Sequence, residues 1–98
     1  MIEFTADWCI NCKVLEKTVY ADSRVVAAGR RLELIPLRVD MTRSSSVDQA
    51  LLSRYGGAGL PFAVVLDRNG QVIQRFPDLF DTKDLIKAVH RAAMVQAG

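Results

Sequence analysis

Cys9 and Cys12 are the only cysteines in the chain, and two residues separate them. That spacing suits two chemistries: half of a metal site, or one reversible disulfide. A zinc site needs four ligands, most often Cys and His. The sequence has no third cysteine, and its single histidine, His90, lies near the far end and reads as a surface residue. A metal would have to recruit carboxylates or a second chain, so neither metal nor organic cofactor is expected. A structural staple fits poorly as well, because a disulfide across so short a loop removes little freedom from the unfolded chain. The pair reads as a redox-active dithiol.

Position assigns the two sulfurs different work. Ile2 to Thr5 reads as a short buried strand, and Cys9 opens the helix that follows it. Free N–H groups and partial positive charge at a helix N-terminus stabilise a thiolate, the form that attacks disulfides. Cys12 lies one turn deeper. It can close a disulfide with Cys9 or release a mixed disulfide by attacking it, which makes Cys9 the nucleophile and Cys12 the resolving thiol. Glu16 is one turn beyond Cys12 on the same helical face. It either tunes the acidity of the pair or pairs with Lys13 or Lys17 in solvent. Trp8 is expected to shield the pair and contact partners, the plainer alternative being a core aromatic.

The rest of the chain has to position this dithiol. It has 98 residues, half of them hydrophobic and 24% charged, with a net charge of +2. That composition is enough for one domain with one core. Arg30-Arg31 is the only basic cluster and no aromatics interleave with it, so no nucleic-acid partner is expected. No apolar run approaches membrane-spanning length, and no signal-peptide pattern is present.

The helix after the Ile2–Thr5 strand carries Cys12, Leu15, Glu16 and Val19 at three- and four-residue steps. Asp22 or Ser23 caps a second helix with Val25 and Val26, stopped at Gly29. Leu32 to Asp40 alternates as a strand, and Pro36 within it argues for a sheet edge. Arg43 to Ser46 is a polar loop ending in a cap. The helix it opens carries Val47, Leu51 and Leu52 and ends at Gly56-Gly57. Phe62 to Leu66 is a continuous apolar strand, Asp67-Arg68-Asn69-Gly70 a hairpin turn, and Gln71 to Phe76 the return strand. Asp81 or Thr82 caps a last helix with Leu85, Ile86, Val89 and Ala93 on its apolar face. The order β-α-α-β-α-β-β-α is that of an α/β sandwich with a mixed sheet, its first two strands parallel and right-handed.

A CxxC beside a β-α-β pattern is a thioredoxin-like signal. Ala6-Asp7-Trp8-Cys9-Ile10-Asn11-Cys12-Lys13 resembles the active site of the thioredoxin superfamily, and Gly59-Leu60-Pro61 resembles its cis-proline loop. Phe4 to Cys9, Cys12-Lys13, Glu16 and Val39-Asp40-Met41-Thr42 together resemble the C-terminal periplasmic domain of DsbD-type thiol:disulfide interchange proteins. The likeness runs over nearly the whole chain.

The resemblance implies a thioredoxin-like fold, a central mixed sheet flanked by helices, here without the usual N-terminal strand and helix. It therefore implies that residues 1–98 are one domain, the C-terminal part of a longer protein. It implies a protein-disulfide reductase that takes electrons from a membrane-embedded domain of the same polypeptide. Those electrons pass to the disulfides of periplasmic partner proteins, with no membrane insertion of this segment. It places a buried carboxylate at Glu3, able to shuttle the proton of Cys12. It also makes Pro61 cis, with the backbone of Leu60 free to pair with an extended partner segment. The sequence departs from the family at Asp78, where a glycine is usual beside the active site; there the carboxylate would alter partner fit or add negative charge. A general cytoplasmic thioredoxin is the nearest alternative, against which Ile10-Asn11 stands in place of the usual Gly-Pro. A non-catalytic thioredoxin-like interaction module is another, and such modules usually lose one of the cysteines.

Overall fold

The alternation of the first residues builds an interior strand. The structure, a computed structural model, describes residues 1–97. In β1 (Ile2–Thr5), Ile2 and Phe4 are buried on one face, and Glu3 and Thr5 point to the other, as strand pleating requires. β1 pairs in parallel with β2 (Leu37–Asp40) and antiparallel with β3 (Phe62–Leu66). β3 pairs antiparallel with β4 (Val72–Pro77), which gives the sheet order β2-β1-β3-β4. The expected mixed α/β sheet is therefore present, with the parallel first pair, the terminal hairpin and β2 at the edge.

Both faces of the sheet are covered. α1 (Ile10–Leu15) continues as a π-helical segment (Glu16–Tyr20), and α2 (Ser23–Arg31) follows. α3 (Ser46–Arg54) connects β2 to β3, and α4 (Thr82–Met94) closes the fold. Phe62 and Val64 join Ile2, Phe4, Met41 and Leu52 in the core on the α3 face. Ala63 and Val65 point the other way, against Leu15, Val19, Leu85, Ala88 and Val89. β3 reads as an unbroken apolar run because it is buried on both sides.

Local chemistry sets the boundaries. Asp22 Oδ1 accepts from the Arg24 N–H at 2.8 Å, Ser45 Oγ from that of Asp48 at 3.1 Å, and Asp81 Oδ1 from that of Asp84 at 2.8 Å. Each is a side-chain N-cap. At the tip of the hairpin, Asp67 Oδ1 accepts from the N–H groups of Asn69 and Gln71, and Gly70 takes φ 81°. Gly57 sits so close to Leu52 that a Cβ there would lie 2.4 Å from Leu52 Cδ1.

Four sequence expectations need correction. The strand expected over Leu32–Asp40 begins only at Leu37. Residues 32–36 form a loop in which Glu33 has φ 58°, and Pro36 precedes the strand instead of interrupting it. α2 does not stop at Gly29 but runs to Arg31, because that glycine keeps helical geometry and a Cβ would meet only the Leu34 side chain. The buried stripe of α4 is Leu85, Ala88, Val89 and Ala92, whereas Ile86 and Ala93 are only partly buried. Small alanines let α4 lie close to the sheet, and size alone had hidden them. The return strand is also shifted by one residue, to Val72–Pro77.

Candidate active site

β1 delivers the chain to the dithiol. After Thr5 the backbone turns through Ala6, whose carbonyl accepts from the Cys9 N–H at 3.2 Å. Cys9 is the N-cap of α1, and its sulfur accepts from the Cys12 N–H at 3.2 Å. Cys9 and Cys12 are joined as a disulfide, with Cα atoms 5.2 Å apart. Both residues are buried, in a small cluster with Ala6 against which Leu60 packs. The Leu60–Pro61 bond is cis. Trp8 and Ile10 flank Cys9 and are 64% and 79% exposed, so Trp8 is no core aromatic.

The Asp40-Met41-Thr42 stretch has a clear local use. Asp40 Oδ1 accepts from the N–H and hydroxyl of Thr42, at 2.9 and 2.5 Å. Thr42 Oγ1 in turn accepts from the Asp7 N–H at 2.8 Å, and the Met41 N–H bonds Thr5 O at 2.7 Å. The loop after β2 is thereby pinned to the loop that carries Trp8 and Cys9. The hydrogen bonds from Thr42 hold the Asp40 carboxyl below its ordinary range.

Asp78 belongs to the site. Its N–H bonds Pro61 O at 2.9 Å, and its Oδ1 accepts from Asn11 Nδ2 at 3.1 Å. Its φ is 65°, in the left-handed region where glycine is the usual occupant. The carboxylate thus latches the middle of the CxxC to the loop of Pro61. Gly59, in contrast, faces open space: a Cβ there would meet nothing within 4 Å.

Behind the dithiol lies a charge cluster of which only part is legible in the sequence. Glu3 and Glu16 are both half-buried. Between them stands Arg38 of β2, the register partner of Glu3. Its Nε is 3.8 Å from Glu3 Oε1, and its Nη2 donates to Glu16 Oε1. Lys13 Nζ lies 3.8 Å from Glu16 Oε2 and 3.7 Å from Asp7 Oδ1. Burial pushes the Glu3 carboxyl above its ordinary range, with Arg38 opposing and Glu16 reinforcing. Arg38 carries no local motif; only the Glu3–Arg38 register reveals it. The Asn11–Asp78 bond spans 67 residues and was equally invisible.

Fold and dithiol together define a thioredoxin-like domain of the thiol:disulfide oxidoreductase class. Residues 1–68 match the family model described as thioredoxin-like, and the chain belongs to that family. It is 37% identical over 70 residues to a thiol:disulfide interchange protein DsbD of Ralstonia nicotianae, covering 71% of this chain and 11% of that protein. It is 33% identical over 95 residues to a DsbD of Haemophilus influenzae, covering 92% of this chain and 16% of the relative. The chain therefore spans a small fraction of the length of these relatives. Among solved structures it is similar to the oxidised C-terminal domain of DsbD from Neisseria meningitidis. The TM-score is 0.76 at 26% identity, over 93% of this chain and 77% of that one.

Proposed function

We propose that this domain is a protein-disulfide reductase that passes electrons to partner proteins by thiol–disulfide exchange. The observation that carries the reading is the Cys9–Cys12 disulfide at the first turn of α1, with Cys9 as N-cap and Leu60 of the proline loop packed beside it. In the reduced state the Cys9 thiolate attacks one sulfur of a partner disulfide. A Cys9–partner bond forms, the partner's own S–S bond breaks, and its leaving thiolate takes up a proton. Cys12 then loses its proton and attacks Cys9, and the second partner thiolate leaves. Two electrons have moved to the partner, which ends as a dithiol, and the Cys9–Cys12 disulfide is restored.

The other candidate residues fit around these steps. Trp8 and Ile10 offer exposed apolar contact beside Cys9. Leu60 lies just ahead of the β3 ladder, which begins at Phe62, and this supports a role for its backbone in pairing with an extended partner segment. Pro61 and the open space at Gly59 leave room for that approach. In this reading Glu3, half-buried on the strand that leads to the dithiol, holds the Cys12 proton, and Glu16 shapes the local field. No metal or organic cofactor enters the cycle.

The similarity to DsbD supports a wider setting for the domain. There it works in the periplasm as one part of a membrane protein and is re-reduced by a membrane-embedded domain of the same polypeptide. No helix among the described residues is long and apolar enough to cross a membrane. Reduction of insulin with dithiothreitol as electron source tests the activity. Turnover that disappears in Cys9→Ser is expected; a wild-type domain no faster than dithiothreitol alone would refute the reading.

A further inference from the structure

The charges behind the dithiol form one line. From the sheet outwards they run Glu3, Arg38, Glu16, Lys13 and Asp7, with each neighbouring pair in ion-pair contact. Three are anions and two are cations, so the line carries one net negative charge. It ends in the loop that leads into Cys9, and its middle member sits one turn beyond Cys12, where the Glu16 N–H bonds Cys12 O. The Glu3 and Glu16 side chains are only 22% and 27% exposed, so water screens them poorly. Among the described residues, Arg38 is the only cation that touches both.

We propose that Arg38 is a positioning residue for the dithiol. Its guanidinium holds Glu3 and Glu16 in place and cancels one of their charges, and so fixes how much negative field Cys9 meets when it ionises. The inference rests on the reading of Cys9–Cys12 as the working pair. A guanidinium suits the place because its planar fork can serve two carboxylates at once and stays charged at every working pH. Without it, two half-buried carboxylates stand uncompensated on β1 and at the end of α1, the elements that carry the dithiol, and a thiolate near like charges is disfavoured.

Other groups around the cluster do not replace Arg38. Tyr20 of the π-helical segment meets the same three charges; burial and the two glutamates push its phenol up, so it stays neutral. Asp40, the neighbouring acid of β2, is bound to Thr42. Asp78, across the dithiol, is bound to Asn11. Lys13 touches Glu16 but not Glu3.

The test follows Cys9 as the sole thiol, in the full chain carrying Cys12→Ser. Iodoacetamide alkylation is measured against pH. Arg38→Met should slow the reaction at pH 7 by about 3- to 10-fold and move its profile to higher pH. Arg38→Lys should recover most of the rate. In a Glu3→Gln, Glu16→Gln background, Arg38→Met should move the profile clearly less, because only the guanidinium's own charge is lost there and no carboxylate is released. A merely structural arginine would alter stability and leave the profile in place. An unmoved profile, or a shift that persists undiminished in the double-glutamine background, overturns the proposal. Arg38→Gln is a second neutral variant with the same expectation, and it decides the matter if Arg38→Met does not fold. The readout needs no partner. A domain inactive toward insulin whose Cys9 still responds to Arg38 would sink the reductase reading and keep this inference.

Discussion

The contact between α4 and the sheet and the neighbourhood of the dithiol are built from opposite materials. Against α4, Leu85, Ala88, Val89 and Ala92 meet Ala63, Val65 and Phe76, all buried and apolar, so no side chain there needs a polar partner. Around Cys9 and Cys12 the order comes from polar bonds between distant segments: Asp7 to Thr42, Asn11 to Asp78, and Glu3 and Glu16 to Arg38. Large apolar side chains there, Trp8, Ile10 and Leu79, stand exposed. One region supplies stability and the other supplies a reactive surface. Changes in each should therefore be read by different instruments.

Leu85→Ala should show the largest separation. Leu85 is 1% exposed at the centre of the α4 contact. Its truncation should cost about 2–5 kcal/mol, through lost burial and the cavity left behind. Denaturant unfolding measures that loss. The alkylation rate of Cys9 in the folded fraction should stay within twofold of wild type, and a large change would mean that the two regions are mechanically coupled.

Glu3→Gln should give the reverse pattern. With one carboxylate fewer behind the dithiol, Cys9 alkylation near neutral pH should rise about 3- to 10-fold. The stability effect has a definite sign. Burial raises the Glu3 carboxyl in the folded protein, so its contribution favours folding below the ordinary glutamate range and is lost as pH rises through the raised value. The stability of Glu3→Gln relative to wild type should therefore increase from pH 4 to pH 7. A difference independent of pH would make Glu3 a solvated bystander.

How much of this was legible in the sequence follows the same division. Periodic apolar residues and local caps declared themselves: Ile2 to Thr5, Phe62 to Leu66, the Asp67–Gly70 turn, and caps at or beside Asp22, Ser46 and Asp81. Each depends on neighbours a few residues away. Alternation carries the expected Leu32–Asp40 strand too far, because it continues through a loop that Glu33 bends with φ 58°. The buried stripe of α4 was misplaced because Ala88 and Ala92 are small, and closeness of packing decides their burial. At the site, the CxxC was plain from spacing. Arg38 and the partner of Asp78 were not, because a sheet register and a 67-residue separation bring them in.

Asp78→Gly should give the smallest effect. Glycine relieves the left-handed φ of 65°, and the latch to Asn11 is lost. The two changes oppose each other, so stability should move by no more than about 1 kcal/mol. Cys9 alkylation should quicken about two- to threefold, because an exposed and screened carboxylate leaves the mouth of the dithiol. A stability loss well beyond that, with unchanged alkylation, would make Asp78 part of the scaffold.

The division of labour between the two sulfurs is the central claim, and covalent trapping tests it directly. Reduced Cys12→Ser and Cys9→Ser variants are each mixed with a disulfide-bonded substrate protein and run on a non-reducing gel. With Cys12→Ser, the mixed disulfide made by Cys9 has no resolving thiol and should accumulate as a covalent adduct. Cys9→Ser should yield little. More adduct from Cys9→Ser than from Cys12→Ser would contradict the account, because it would make Cys12 the attacking sulfur.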